Sequence, residues 1–148
     1  MIGKIEPYDA LKVALADTFA FYLKAHNFHW NITGPDFAQY HGFLGDLWEE
    51  VFTGVDLIAE GIRTLDAFAP GSFTRYKELA TIEDELKIPA ALEMIKKLSA
   101  DNEKVLASLH KAYMLAEKDM KHGISNFLQD RITAHEKHGW MLRSFTKA

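Results

Sequence analysis

The sequence predicts an all-α fold: a four-helix bundle whose long crossover, carrying a short extra helix, joins the second helix to the third. Three observations predict it. Four stretches repeat apolar residues at spacings of three and four, the period of a helix with one buried face. Two of those stretches are long, near 30 residues. Between the second and third lies an extended connection, opened by Ala69-Pro70-Gly71 and closed by Ile88-Pro89, which in a compact bundle joins two helical hairpins.

The first helix opens at Pro7, where a missing N–H costs nothing in the first turn. Leu11, Leu15, Phe19, Tyr22, His26 and His29 follow at helical spacing. The breaker run Ile32-Thr33-Gly34-Pro35 then predicts an end near Asn31. Asp36 is placed to cap the second helix, whose apolar face runs through Phe37, Tyr40, Leu44, Leu47, Val51, Ile58, Ile62 and Leu65 almost to Pro70. Gly42, Gly45, Gly54 and Gly61 interrupt that face. Each lowers helix propensity by up to ~1 kcal/mol, so tertiary packing must hold this helix, and glycines also let helices approach closely.

Residues 68–89 form the crossover, with Thr74 to Ala80 as its short helix. The third helix is expected from about Ala90 to Met120, through Leu92, Ile95, Leu98, Val105, Leu109 and Tyr113. His122-Gly123 is read as the break after it, and the fourth helix as running from about Ser125 to Phe145.

The chain's 148 residues fit one domain, 1–148, large enough to bury a core without disulfides or a structural metal. Cysteine is absent, which removes thiolate metal sites, iron–sulfur clusters and cysteine nucleophiles together. A metal would have to be held by His, Asp and Glu, a donor set suited to iron, manganese or zinc. The net charge of −4 argues against nucleic-acid binding. The N-terminus lacks a signal-peptide pattern, and no apolar run approaches the ~20 residues that span a bilayer. A cytoplasmic protein without membrane contact is expected.

The candidate metal ligands are His29, His41, Asp56 and Glu60. Asp56 and Glu60, four apart, project from one helical face about 6 Å apart along the axis. Such a pair is more often a solvated helix face, but Leu57, Ile58 and Ala59 embed this one in apolar sequence. A short Gly-Pro loop separates His29 from His41, so folding back would bring the two imidazoles together. His41 and Asp56 are fifteen residues apart on one helix, about 22 Å along its axis, so one chain cannot bring all four groups to one metal. Either they serve two sites, or the His pair of one subunit meets the acid pair of another across a two-fold axis, the commonest oligomer symmetry.

A bundle with a di-iron site inside it would carry two Glu-x-x-His motifs, and there are none here. His135 and His138 are three apart, not the four of a zinc-protease helix, and are read as a surface pair favoured by the helix dipole. No phosphate-binding glycine loop and no Gly-x-Ser-x-Gly elbow occur. Trp30, Trp48 and Trp140 are read as core or interface anchors, with Trp30 able to wall the site beside His29.

The stretch from Lys24 through His29-Trp30-Asn31-Ile32-Thr33-Gly34-Pro35 to Phe37, followed by His41, resembles the signature of the Dps mini-ferritins of starved bacteria. Val55-Asp56-Leu57-Ile58-Ala59-Glu60 continues it in register, and His135-Glu136-Lys137 with Trp140-Met141-Leu142-Arg143 is similar to the family's closing segment. The resemblance covers nearly the whole chain. It implies a ferritin-like bundle assembled as a hollow homo-oligomer, a dodecamer. It also implies Fe(II) oxidation at two-fold interfaces, preferably by hydrogen peroxide and otherwise by dioxygen, with mineral stored inside and DNA thereby protected. His29 and His41 then match ligands from one subunit, and Asp56 and Glu60 those of its neighbour, for iron or for Zn²⁺.

Three positions depart from that pattern. Gly45 stands where the family usually has Asp or Glu, leaving a second iron to water, to Asp46 after local distortion, or to nothing; a shift of one residue rotates a helical side chain by about 100°. Near the start of the last helix, where the family lines an iron-entry pore with acids, the chain reads Lys121-His122-Gly123-Ile124-Ser125-Asn126, with Asp119 and Asp130 the nearest acids. Gly61 replaces a common Arg. No Lys/Arg-rich tail flanks the helices, and a negative charge repeated over twelve subunits repels phosphate, against direct DNA binding.

Overall fold

The computed structural model describes residues 3–147, and those residues form five helices and no strand. They are α1 (Pro7–Asn31), α2 (Phe37–Thr64), α3 (Phe73–Leu79), α4 (Ala91–Lys118) and α5 (His122–Ser144). α1 packs against both α2 and α4, and α4 against α5; α2 and α5 meet more sparsely, and α3 lies on α1. Two hairpins joined by a crossover make the bundle the periodicity predicts. Among the described residues no helix is long and apolar enough to cross a membrane.

The core follows the apolar faces. Leu11, Leu15, Phe21 and Phe28 of α1 are fully buried, as are Leu44, Val51, Ile58 and Ile62 of α2, Leu98, Val105 and Leu109 of α4, and Leu128 and Leu142 of α5. Each such side chain contributes about 1.5–3 kcal/mol by leaving water. Two glycines of α2 face α5 where a Cβ would not fit. At Gly54 it would lie 2.7 Å from Arg131 Nε, and at Gly61 2.8 Å from Phe127 Cζ. Gly42 meets nothing within 4 Å, so close packing does not explain it.

One buried acid ties the crossover to the bundle. Asp17, fully buried in α1, accepts hydrogen bonds from Thr81 N (2.6 Å), Thr81 Oγ1 (2.8 Å) and Ile82 N (3.3 Å), and from the Ser108 hydroxyl of α4. A desolvated carboxylate is tolerated because its lone pairs are filled by donors.

The ends of α2 and α4 correct the sequence reading. α2 stops at Thr64 instead of running almost to Pro70, and α4 stops at Lys118, before His122-Gly123. Both close in the same way, with a left-handed residue that is not glycine: Asp66 (φ 62°) and Met120 (φ 58°). Around them Ala67 N bonds Ile62 O (3.4 Å) and Lys121 N bonds Ala116 O (2.8 Å), the six-to-one pattern of a Schellman cap. His122 and Gly123 instead begin α5. Asp36 does precede α2, but at φ 63° and without a side-chain cap bond, because a left-handed backbone turns its carboxylate from the helix N–H groups.

Candidate metal centre

α1 ends in an extended residue, Ile32, whose N–H still bonds Phe28 O at 2.9 Å. Gly34 then takes φ 108°, open to glycine, and Asp36 the left-handed region, so α2 doubles back within five residues. That turn sets His29, in the last turn of α1, against His41 of α2, with ring centroids 3.8 Å apart and planes 16° from parallel. Each ring is tied to the other's backbone. His29 Nδ1–H donates to His41 O and His41 Nδ1–H donates to His29 O, both at 2.8 Å. A carbonyl only accepts, so each Nδ1 carries a proton, and the nitrogen left for a metal on either ring is Nε2. This is how outer hydrogen bonds orient histidines for a metal.

Gly45 lies under this pair. A Cβ built on it would sit 3.1 Å from His29 Cε1 and 4.0 Å from His29 Nε2. Residue 45, not 46, therefore abuts His29; Asp46 is exposed. Asp56 and Glu60 are also exposed, farther along α2. The structure thus brings His29 and His41 together and leaves the acid pair apart. Among the described residues no group of three His, Asp or Glu side chains is arranged to hold a metal ion.

Between the two half-sites runs a row of rings along the seam of α1 and α2. His26 stacks on Trp48 (3.9 Å, 12°) and contacts Trp30 (4.0 Å); Tyr22 meets Trp48 (5.9 Å) and Phe52 (4.7 Å). Phe52 is one turn before Asp56. Tyr22 Oη hydrogen-bonds His26 Nδ1 at 3.0 Å. Burial, and then neighbouring His29, lower the pKa of His26, against a smaller opposing effect of Glu49. Trp30, Phe37, Phe52 and Leu57, between 45% and 59% exposed, leave apolar surface bare around this seam.

A second polar cluster lies inside the bundle and overturns the reading of His135 and His138 as a surface pair. His135 is fully buried and His138 is 7% exposed. Arg131 clasps Glu50 with two hydrogen bonds (2.6 and 3.0 Å), and His138 Nε2 donates to Glu50 Oε1 at 2.7 Å. His135 Nδ1 donates to Asn102 Oδ1 (2.8 Å). Burial alone would raise Glu50's pKa, but the bonds from His138 and Arg131, with the Arg131 charge, hold it well below the usual carboxylate range. Burial, then Arg131 and His138, push His135 well below its ordinary value. The sequence does carry a signal for this cluster: Arg131, His135 and His138 share a helical face, and Glu50 sits three after buried Leu47. The groups satisfy one another except at Arg131 Nε, which is buried without a hydrogen-bond partner, so removing any one member would expose a buried charge to the same cost, and Arg131's charge opposes a cation there.

At the start of α5, Asp119 pairs with Lys4 at 3.4 Å, which offsets one of the few acids near that corner.

The family model for the ferritin-like domain matches residues 8–148. DNA protection during starvation protein 2 of Bacillus anthracis is 31% identical over 137 residues, 93% of this chain and 94% of that protein. Dps from Thermosynechococcus elongatus has a similar structure, with a TM-score of 0.92 at 25% identity, covering 96% of this chain and 90% of its own. Dps from Vibrio cholerae O1, described as a member of a broad superfamily of ferritin-like diiron-carboxylate proteins, gives 0.91 at 28% identity over 95% and 89%.

Proposed function

This chain belongs to the ferritin-like family as a Dps-type mini-ferritin, and from that premise we propose that it oxidises Fe(II) at sites shared between two copies and stores ferric mineral in a hollow dodecamer. The observation that carries the reading is the reciprocal histidine pair. Two imidazoles locked through Nδ1 offer two Nε2 lone pairs, donors that suit Fe(II) and equally Zn²⁺. Asp56 and Glu60 of a neighbour supply the hard oxygen ligands that favour Fe(III), and so draw the electron out. The bare apolar side chains around the seam support a second copy as the partner.

Hydrogen peroxide is the preferred oxidant, with dioxygen the slower one. Consuming Fe(II) and peroxide together removes both sources of hydroxyl radical, so DNA in the cytoplasm is protected without being bound. The charge of −4 per chain fits that mode better than DNA coating.

Gly45 favours one second reading: a shell that holds Zn²⁺ or iron statically, with little oxidation. Subunit mixing separates the two. Copies with His29→Ala/His41→Ala and copies with Asp56→Ala/Glu60→Ala, each inactive alone, are co-assembled and given Fe(II) and peroxide. A shared site leaves one intact site in each mixed pair and restores a substantial part of the wild-type rate. No recovery sinks the shared site. Inactive wild-type protein that still binds Zn²⁺ selects the static reading.

A further inference from the structure

Away from the histidine pair, a groove of about 740 Å³ opens between the first two turns of α1 and the later part of α4, within the size range of small-ligand clefts. Val13, its residue nearest the pair along α1, is sixteen positions before His29, about 24 Å along the helix axis. Small residues create the groove by leaving the line between the two helices unfilled: Ala10 on α1, and Ala107 and Ser108 on α4. Val13 and Ile5, the latter 48% exposed, extend the apolar wall.

The polar groups left for a ligand are ammonium groups. Thr81 and Ser108 also line the groove, but the Thr81 hydroxyl donates to buried Asp17 at 2.8 Å and the Ser108 hydroxyl is likewise turned to Asp17. Lys104 and Lys111, seven positions apart and so on one face of α4, stand over the trough with Lys4. Lys104 Nζ donates to Thr81 O at 3.3 Å, and among the described residues neither Lys104 nor Lys111 pairs with a carboxylate. Lys4 is partnered by Asp119, and Asp9, the acid of the lining, already accepts from Glu6 N at 3.1 Å. A chain with a net charge of −4 thus sets two cations without a counter-charge above an apolar floor.

We propose that this groove binds a long-chain fatty acid, with the acyl chain along Ala10, Val13 and Ala107 and the carboxylate on Lys104 or Lys111. Charge complementarity selects the occupant. A neutral apolar ligand leaves the ammonium groups unused, and a bare inorganic anion leaves the floor in water; an acyl carboxylate satisfies both. The buried chain supplies the affinity, and the ion pair fixes which way it lies. Nothing in the iron chemistry is required for it, so the groove stands or falls apart from the metal site.

The assembled protein is titrated with a dansyl-labelled undecanoate, whose fluorescence rises when it leaves water. Saturable binding is expected, displaced by laurate and weakened by added salt. Lys104→Gln/Lys111→Gln should weaken it at least tenfold, and Ala107→Trp, which fills the floor from an exposed position, should abolish it. Lys96→Gln/Lys118→Gln, on the same helix but outside the groove, should bind as the wild type does. Circular dichroism and particle size confirm that each variant folds and assembles. Displacement by dodecylamine or by inorganic phosphate as readily as by laurate overturns the proposal, because the site would then read only the chain or only the charge. Unchanged affinity in the Lys104→Gln/Lys111→Gln variant also overturns it, by placing the probe elsewhere. Binding seen in dissociated chains but absent from the assembled protein overturns it as well, since a second copy would then cover the groove.

Discussion

His29 occupies the space that a side chain at residue 45 would need: a Cβ on Gly45 would stand 3.1 Å from His29 Cε1 and 3.3 Å from Nδ1. The His29 ring packs over bare backbone at Gly45.

Gly45→Asp therefore has two opposed effects. The ring must give way by a few tenths of an ångström, which strains the Nδ1 bond to His41 O. In return a carboxylate arrives close to His29 Nε2. The expected outcome is a melting temperature changed little or slightly lowered, Fe(II) bound per site rising, and a several-fold faster oxidation. Calorimetric Fe(II) titration and stopped-flow absorbance measure both. Unchanged stoichiometry and rate would mean that residue 45 is not a ligand position.

Acid should weaken the fold in two stages. His135 has a lowered folded pKa, so its unfolded form takes up a proton below the ordinary 6.5 while the folded form resists. Stability is then lost as pH falls below that value, by up to about 1.4 kcal/mol per pH unit. Glu50, also lowered, adds stability that is complete above its ordinary 4.5 and lost progressively below it. Denaturant midpoints from pH 8 down to pH 4 check this, with His135→Gln expected to flatten the fall near pH 6. An equal slope in that variant would move the effect elsewhere, for example to His26.

Asp17→Asn keeps the shape of the carboxylate but puts an N–H₂ where donors already point. The loss is expected to be about 2 kcal/mol, as for hydrogen bonds to a charged group, and greatest in the crossover. Urea unfolding gives the total, and amide exchange at Thr81 and Ile82 gives the location. A change below about 0.5 kcal/mol would show that the crossover does not depend on this acid.

Two glycine substitutions in α2 should differ in sign. Gly54→Ala pushes on Arg131 Nε and through it on the clasp of Glu50, for an expected loss of about 1–3 kcal/mol. Gly42→Ala meets open space and should stabilise by about 0.5–1 kcal/mol. Thermal melts of both variants against wild type suffice. Equal losses would mean that helix propensity is outweighed by something at residue 42 that the single chain does not contain.

The helices were readable because their signal is local. Leu11-Leu15 or Leu44-Leu47-Val51 announce a buried stripe from spacing alone, and a Gly-Pro loop between His29 and His41 implies that the two meet. Helix ends were less readable. Asp66 and Met120 accept a left-handed backbone that composition assigns to glycine, because the caps around them satisfy the last carbonyls.

The sequence by itself determined the bundle, the crossover, the lack of thiolate metal ligands and the distance that keeps His41 from Asp56 along one helix. Tertiary structure decided which nitrogen of each histidine stays free, that His135 and His138 face Glu50 instead of water, and that Gly45 leaves room for His29. The physical reason is the range of the interactions. Helical period and reach act between residues a few positions apart, whereas tautomer, burial and steric clearance depend on atoms brought from distant parts of the chain. Glu50 and His138 stand 88 positions apart and meet at 2.7 Å.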